Sequence, residues 1–555
     1  MMHRTDCLPR HIALGLFVVL WVCSSAWGTQ VAPDTLAGES YWVFFRDKAI
    51  QNDADYQQGL AAVRASYSPA AIARRELRGS TSTPFGYSDL PVADAYLSAI
   101  EQSGASINYA SSWLNAVSVK TDAAQLAAIA SLPFVDHVQP VARYSVPSIT
   151  GGTPVITSPA EAQTFYGNAD PQSVQIGIPA VHNLGITGAG VTIGVLDTGF
   201  IRNHEAFNQP GHVINVVGEH DFINNDGNTA DSVPSASQIT HGTYILGVMG
   251  AYKPNTLVGA AYGASFLLAK TEVVPTETPI EETYWVAGLQ WLEANGADVV
   301  TSSLGYIDWY TQAQLNGHIA VTSVAAHTAT LAGLPIVNAA GNQGHDANPT
   351  TSSLISPADA ELVITVGAVD SAGVLAGFSS SGPTADGRLK PEVLAQGVST
   401  ATVTPGSVSG YSYVNGTSLS TPLVASTIAL MLDANPNLTV PQIRQILFST
   451  ASRANNPDTA FYLEGYGIIN AYQAVLEAQE LAVPEPATIW LALAGMIGLA
   501  LLAKKYPSRS EVVSFSKRAA GVSPWRRLEA SISGTSPRRR LGSSPGHPKN
   551  HSLSA

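Results

Sequence analysis

A three-layer α/β/α fold on a mainly parallel sheet, preceded by a small α+β domain, follows from three features of this 555-residue chain. Between residues 175 and 480, short β-branched runs alternate with longer helical ones, the pattern of a parallel sheet covered on both faces. Before them, residues 40–142 mix strand and helix patterns on a shorter scale. Two strand runs then end in polar side chains, Asp197 and Asn342, at the carboxyl edge where open α/β sheets hold their ligands.

The elements follow in order. In the first domain Tyr41–Phe45, Trp113–Val119 and Val135–Pro140 read as strands, Val92–Ser103 and Ala123–Ala130 as helices. Ser145–Pro171, rich in Ser, Thr, Pro and Gly and without periodicity, reads as a linker. In the larger domain strands are expected at 191–197, 213–217, 265–269, 298–302, 334–338 and 362–368. Helices are expected at 242–251, 281–295, 312–332, 418–434 and 439–450.

The two ends read differently. Residues 1–28 carry Arg4 and Arg10, the apolar run Ile12–Val22 and the small-residue site Ala26-Trp27-Gly28, the layout of a secretory signal peptide. Both cysteines, Cys7 and Cys23, lie inside it, so the processed chain has no disulfide or thiol chemistry. After Val483-Pro484-Glu485-Pro486 come seventeen apolar or small residues, Ala487–Ala503, broken only by Thr488, and then Lys504-Lys505. That length is at the short end for a membrane span, with the lysines keeping their side cytoplasmic. Residues 506–555 hold nine Lys/Arg against two Asp/Glu and little apolar content, as disordered tails do. The preceding residues carry 19 basic and 39 acidic groups, and so acidic a body excludes nucleic acid as the main partner.

Four short motifs carry chemistry. Gly416-Thr417-Ser418 opens an apolar helical run, so the Ser418 hydroxyl sits in a first turn beside unpaired N–H groups and the positive end of the helix dipole. Such a serine alone is most often a helix cap. Upstream, however, Asp197-Thr198-Gly199 ends a strand, His241-Gly242-Thr243 opens a helix, and Ala339-Ala340-Gly341-Asn342 ends another strand. The spacings from Asp197 to His241, Asn342 and Ser418 are 44, 101 and 76 residues in turn. A serine needs a base with a pKa near neutrality, which histidine supplies, and a carboxylate fixes the imidazole tautomer.

In kind and order these motifs resemble the subtilisin-like serine proteases (subtilases, peptidase family S8). The resemblance implies a subtilisin-like fold with Ser418 as nucleophile, His241 as general base and then acid, Asp197 as its orienting partner, and Asn342 as oxyanion donor with the Ser418 N–H. It implies that Ser302-Ser303-Leu304-Gly305 pairs with the substrate backbone, and that Ala339, Ala340 and Gly341 wall an open apolar pocket. Phe378–Glu392 is similar to the stretch that precedes the nucleophile in many subtilases, while Leu246, Glu392 and Gln396 depart from the common pattern. Residues 29–145 look like an inhibitory propeptide, 146–174 the maturation region and 175–480 the catalytic domain. Residues 483–505 resemble a PEP-CTERM sorting segment, although fifty residues follow it. The implied function is a secreted, self-processing serine endopeptidase acting on polypeptides, with its own propeptide as intramolecular inhibitor, membrane association through 487–503 and a sorting machinery as a further partner.

The first alternative is a catalytically silent, surface-displayed binding protein on the same fold, which needs a broken set of catalytic positions. The second, an α/β-hydrolase esterase, needs Gly-x-Ser-x-Gly with its histidine last, whereas Ser418 has no glycine two residues on and its proposed base lies upstream. No cofactor is expected. Subtilases often bind structural calcium, but Asn224–Asp231 is only loosely like a calcium loop, so no ligands are named.

Overall fold

The computed structural model describes residues 39–142, 150–154, 164–230, 240–274, 280–346, 348, 351–454 and 461–482. The leader, part of the linker and everything after residue 482, including the sorting segment and tail, lie outside these. The first domain runs β1 (Glu39–Phe45), α1 (Asp53–Ser66), α2 (Pro69–Arg78), α3 (Asp94–Gln102), β2 (Ser106–Ser111), β3 (Ala116–Thr121), α4 (Ala123–Ala130) and β4 (Val135–Pro140). Its strands form an antiparallel sheet in the order β2-β3-β1-β4. Period-two alternation sends β1 two ways. Tyr41, Val43 and Phe45 pack into the domain's own core with Ile100, Leu126 and Ile129. Trp42, on the opposite face, packs with Trp285, Leu304 and Tyr310 of the larger domain. Strand β3 starts later than expected because Ser112–Asn115 forms a turn, with Asn115 in the left-handed region at φ 48°.

The linker is not featureless. Strand β5 (Thr150–Pro154) comes first, and further on Tyr166 and Ala169 are buried in the core of the larger domain. Seven strands then build the central sheet: β6 (Thr192–Asp197), β7 (Asn215–Asp221), β8 (Ser265–Lys270), β9 (Val299–Ser302), β10 (Ile336–Ala339), β11 (Ile364–Val369) and β12 (Val393–Gln396). All their pairings are parallel, in the order β12-β11-β10-β9-β6-β8-β7. The chain therefore leaves β6 toward one edge, returns, and continues on the other side through β9. That reversal leaves a crevice at the carboxyl ends of β6 and β9, the usual ligand position in such sheets. Two strands more, β13 (Thr400–Val403) and β14 (Tyr411–Asn415), form a small antiparallel sheet with β5 at its edge.

Helices cover both faces. Ile193 and Val195 of β6, Phe266 and Leu268 of β8 and Val337 of β10 pack toward α5 (Thr240–Gly250), α8 (Thr417–Ala434), α9 (Val440–Ser449) and α10 (Ala471–Ala482). Leu196, Leu267, Ala269 and Ile336 pack the other way, toward α6 (Glu281–Ala294) and α7 (Val321–Leu331). Helix α7 is shorter than the 312–332 expected. Gly317 breaks it with a φ of 81°, and its N–H is held by the Asp359 carboxylate at 2.7 Å. Helix α8 is long and apolar enough to cross a membrane, but its window is 89% buried and it is the central helix of the core.

Candidate active site

Three strand ends meet at the crevice. Asp197 closes β6, and His241 lies in the first turn of α5. The His241 Nδ1 and Asp197 Oδ1 atoms are 2.7 Å apart, with Asp197 fully buried and His241 6% exposed. The same carboxylate oxygen accepts the Thr198 N–H at 2.7 Å, and Thr198 Oγ1 accepts the Gly242 N–H at 3.3 Å, so the turn after β6 is tied to the start of α5. Only glycine permits this approach: a Cβ on Gly242 would stand 2.4 Å from the Gly199 carbonyl oxygen. With Nδ1 committed to Asp197, the buried Nε2 of His241 has no partner among the described residues. It is the nitrogen left to exchange a proton.

Ser418 sits in the first turn of α8 and is fully buried in the chain that still carries its first domain. Its Oγ is 3.4 Å from the Ser303 carbonyl oxygen, a long contact that holds it only weakly. Pro422 lacks the N–H that would reach back to the Ser418 carbonyl, and Ser303 Oγ donates to that carbonyl instead, at 2.9 Å. The proline thus exchanges one helical hydrogen bond for a tie between Ser418 and the end of β9. Gly416, with a φ of 153°, supplies the backbone entry to the helix, and a Cβ there would come 3.3 Å from Asn342 Nδ2.

Asn342 follows β10. Its Oδ1 accepts from the Thr417 N–H and the Thr417 hydroxyl, both at 2.9 Å. The two bonds fix the amide so that Nδ2, buried and without a partner among the described residues, remains a free donor beside the first turn of α8. Sequence reading missed Thr417 and Thr198, which orient the groups it found. Their signal was their place next to Ser418 and Asp197.

Of the seven residues expected to contact substrate, Ser303 and Gly341 meet the first turn of α8 directly, since Ser303 Oγ donates to the Ser418 carbonyl and the Gly341 carbonyl accepts the Thr417 hydroxyl at 3.2 Å. Ser302 points into the core, where its Oγ accepts the Trp285 indole N–H at 3.0 Å. Leu304, Ala339 and Ala340 are buried, and Gly305 packs so closely that a Cβ would stand 2.0 Å from Ile355 Cδ1. Of the histidines outside this set, His204 is buried with Nε2 on the Gly410 carbonyl, and His345 Nδ1 lies 2.9 Å from the Ser379 carbonyl. Burial holds the His204 imidazole below its ordinary range. Both are local structural contacts.

The residues near 221–228 do not fit a cation cage. Asp221 is taken by the Lys270 ammonium at 2.9 Å and by the Ile223 and Asn224 N–H groups, and Asp226 by the Asn228 N–H. Among the described residues no group of three or more His, Cys, Asp or Glu side chains could hold a metal ion. Glu392, one of the departures from the common pattern, accepts from Lys390, Arg444 and the Thr365 N–H. Burial pushes the Lys390 ammonium down to about 8, against the pull of Glu392.

Comparison with known proteins gives consistent likenesses. Residues 188–467 match the Subtilase family, and residues 40–151 match the Peptidase S8 propeptide domain of Bacteroidota. Subtilisin DY of Bacillus licheniformis is 34% identical over 309 residues, covering 55% of this chain and 99% of that protein. Subtilisin E of Bacillus subtilis (strain 168) is 32% identical over 311 residues, covering 56% of this chain and 72% of that one. Fervidolysin from Fervidobacterium pennivorans shares the fold with a TM-score of 0.54 at 20% identity, covering 80% of this chain and 62% of its own.

Proposed function

Because the chain belongs to the subtilase family and is a serine-type endopeptidase with a propeptide domain, we propose that it cleaves polypeptides through Ser418, His241 and Asp197 after removing its own propeptide. His241 Nε2 takes the Ser418 hydroxyl proton as Oγ attacks the peptide carbonyl, and Asp197 steadies the imidazolium formed. The tetrahedral oxyanion accepts from Asn342 Nδ2 and the Ser418 N–H. The intermediate collapses as His241 returns the proton to the leaving amine, giving an acyl-enzyme. Water, deprotonated by the same nitrogen, then releases the acyl group from Ser418. One observation carries this reading: two partnerless buried nitrogens, His241 Nε2 and Asn342 Nδ2, belong to side chains whose other polar atoms are locked by Asp197 and Thr417. The silent-binder alternative finds no support in a site with all four positions filled.

In the same reading, residues 29–145 form the inhibitory propeptide, the cut falls within 146–174, and 175–480 is the working enzyme. The signal-like residues 1–28 support export, and the PEP-CTERM-like segment 483–505 supports sorting through a C-terminal membrane-associated helix ahead of the basic tail 506–555. The proposed mechanism runs on these side chains, the Ser418 backbone N–H and water.

The test compares the full chain with one ending at Ala482, each with and without Ser418→Ala or His241→Ala. The parents shorten to a new N-terminus within 146–174 and digest casein, while both variants stay intact, folded and inert. The chain ending at Ala482 leaves the membrane fraction in which the full chain is found. Processing or casein digestion by the His241→Ala chain would remove that residue from the mechanism.

A further inference from the structure

Glu282 stands in the first turn of α6, fully buried, and is not used by the chemistry above. Its Oε1 accepts the Tyr310 hydroxyl at 2.9 Å, and that hydroxyl accepts the Val321 N–H at 3.2 Å. These partners belong to the larger domain. The Oε2 atom, by contrast, accepts among the described residues only from the first domain: the Trp42 indole N–H at 3.3 Å and the Ala142 backbone N–H at 3.0 Å. Ala142 comes two residues after β4, and with Val141 it packs in one cluster with Trp285, Leu304, Tyr306 and Tyr310. Leu304 adjoins Ser303, whose carbonyl lies beside the Ser418 hydroxyl. Thr150 pairs with Asn415 just ahead of the Ser418 turn. Ala142 therefore lies along the wall that leads to Ser418, on the N-terminal side of the maturation region. No lysine, arginine or histidine pairs with Glu282 among the described residues. Burial pushes its carboxyl up to about 7 in spite of three donors.

We propose that, once the propeptide leaves, Glu282 is a specificity-determining residue that selects a lysine or arginine side chain on the N-terminal side of the scissile bond. This rests on the reading above, in which the propeptide is removed. Departure of Trp42 and Ala142 takes both donors from Oε2, while Tyr310 keeps the carboxylate in place through Oε1. Trp285 and Leu304 then offer an apolar wall to an aliphatic stem, and the bare oxygen offers an anion to its cationic head. A charge-assisted bond to ammonium or guanidinium is roughly twice as strong as one to a neutral donor, so a basic side chain gains more here than a backbone N–H does.

The test uses the full chain after it has matured. Peptides carry Lys, Arg, Leu or Glu in turn at each of the several positions before the cut. At one position the unaltered enzyme prefers Lys and Arg over Leu by roughly tenfold or more in kcat/KM, the scale of one charge-assisted contact. Glu282→Gln removes that preference and leaves the leucine peptide within a few-fold, and Glu282→Asp keeps part of it. Absence of a basic preference at every position in the unaltered enzyme overturns the proposal without any variant. So does the same preference in Glu282→Gln, or a uniform loss on all peptides, which would make Glu282 a reader of backbone N–H. If the unaltered enzyme cleaves neither these peptides nor casein, the underlying peptidase mechanism itself falls.

Discussion

At the scale of single residues, the site depends on side chains whose second polar atom is already spent. Asn342 is the clearest case, because Thr417 takes Oδ1 twice and leaves Nδ2 without a partner among the described residues, the donor proposed for the oxyanion. Asn342→Leu is expected to lower kcat by roughly 10²–10³ while KM stays within a few-fold, since the oxyanion exists only in the transition state. Steady-state kinetics on one soluble peptide checks this. A matched rise in KM would move Asn342 from transition-state stabilisation to substrate binding.

At the scale of elements, α2 is a clamp between the two domains. Arg74 and Arg75 both bind the fully buried Glu293 of α6, Arg75 through Nε at 2.8 Å and Nη2 at 3.0 Å. Arg75 also reaches Asp89 at 2.9 Å and lies 4.7 Å from the Tyr67 ring centre and 4.5 Å from that of Phe85. Arg78 binds Asp298 at 3.2 Å and the Pro436 carbonyl at 3.0 Å. Removing one partner from such a set strands a buried charge, at a cost of about 3–5 kcal/mol. Glu293→Ala in the uncut Ser418→Ala chain should therefore lower stability by that order and loosen α2 first. Hydrogen exchange of α2 amides reads it directly. Unchanged protection there would mean that β1 and Trp42 hold the propeptide without the clamp.

At the scale of the whole molecule, the propeptide domain contributes to the enzyme's core, because Trp42, Trp113, Leu114, Val141 and Ala142 share one cluster with α6 and α7. Closing that cluster buries Glu282 and makes folding sensitive to pH. Burial is the main cause of its shift from 4.5 to about 7, and the Asp308 carboxylate adds to it. Below the unfolded value of about 4.5 the group is protonated in both states and costs nothing. As pH rises toward 7 the unfolded chain has released a proton that the folded chain keeps, so the stability supplied falls, and above 7 the loss is complete. In the Ser418→Ala background, Glu282→Gln should flatten this slope, with a gain over the parent that grows between pH 4.5 and 7 to roughly 3 kcal/mol at most. Denaturant melts at three pH values measure it. Parallel curves for the two chains would show that Glu282 does not titrate in this window.

The fold class was legible in the sequence, and so was the placing of the four proposed site residues at element ends, because each rests on local order. Buried parallel strands must be apolar on both faces, helix starts and strand ends are marked by their own residues, and Asp197, His241, Asn342 and Ser418 occupy such ends. Most expected limits in the larger domain accordingly came close, but α7 begins only at Val321, beyond Gly317, β7 runs Asn215–Asp221 against the 213–217 expected, and β12, β13, β14 and α10 were missed. What stayed hidden depends on a partner distant in sequence. The chain from Arg46 to Pro91 has no apolar periodicity to announce α1 and α2, because α2 buries arginines whose counter-charges lie more than two hundred residues away in Glu293 and Asp298. Strand β5, Thr-Gly-Gly-Thr-Pro, has little β-propensity and exists by pairing with β14. The amphipathic face of β1 could be read from alternation, but not that Trp42 would cross into the second core and cover Glu282. Sequence by itself determined the class of fold and the family of enzyme, and it placed the residues proposed for the chemistry, since those follow from residue type and spacing along one chain. Only the tertiary structure decided which atoms are left free and which charges are covered, since that depends on what packs against them from elsewhere in the fold.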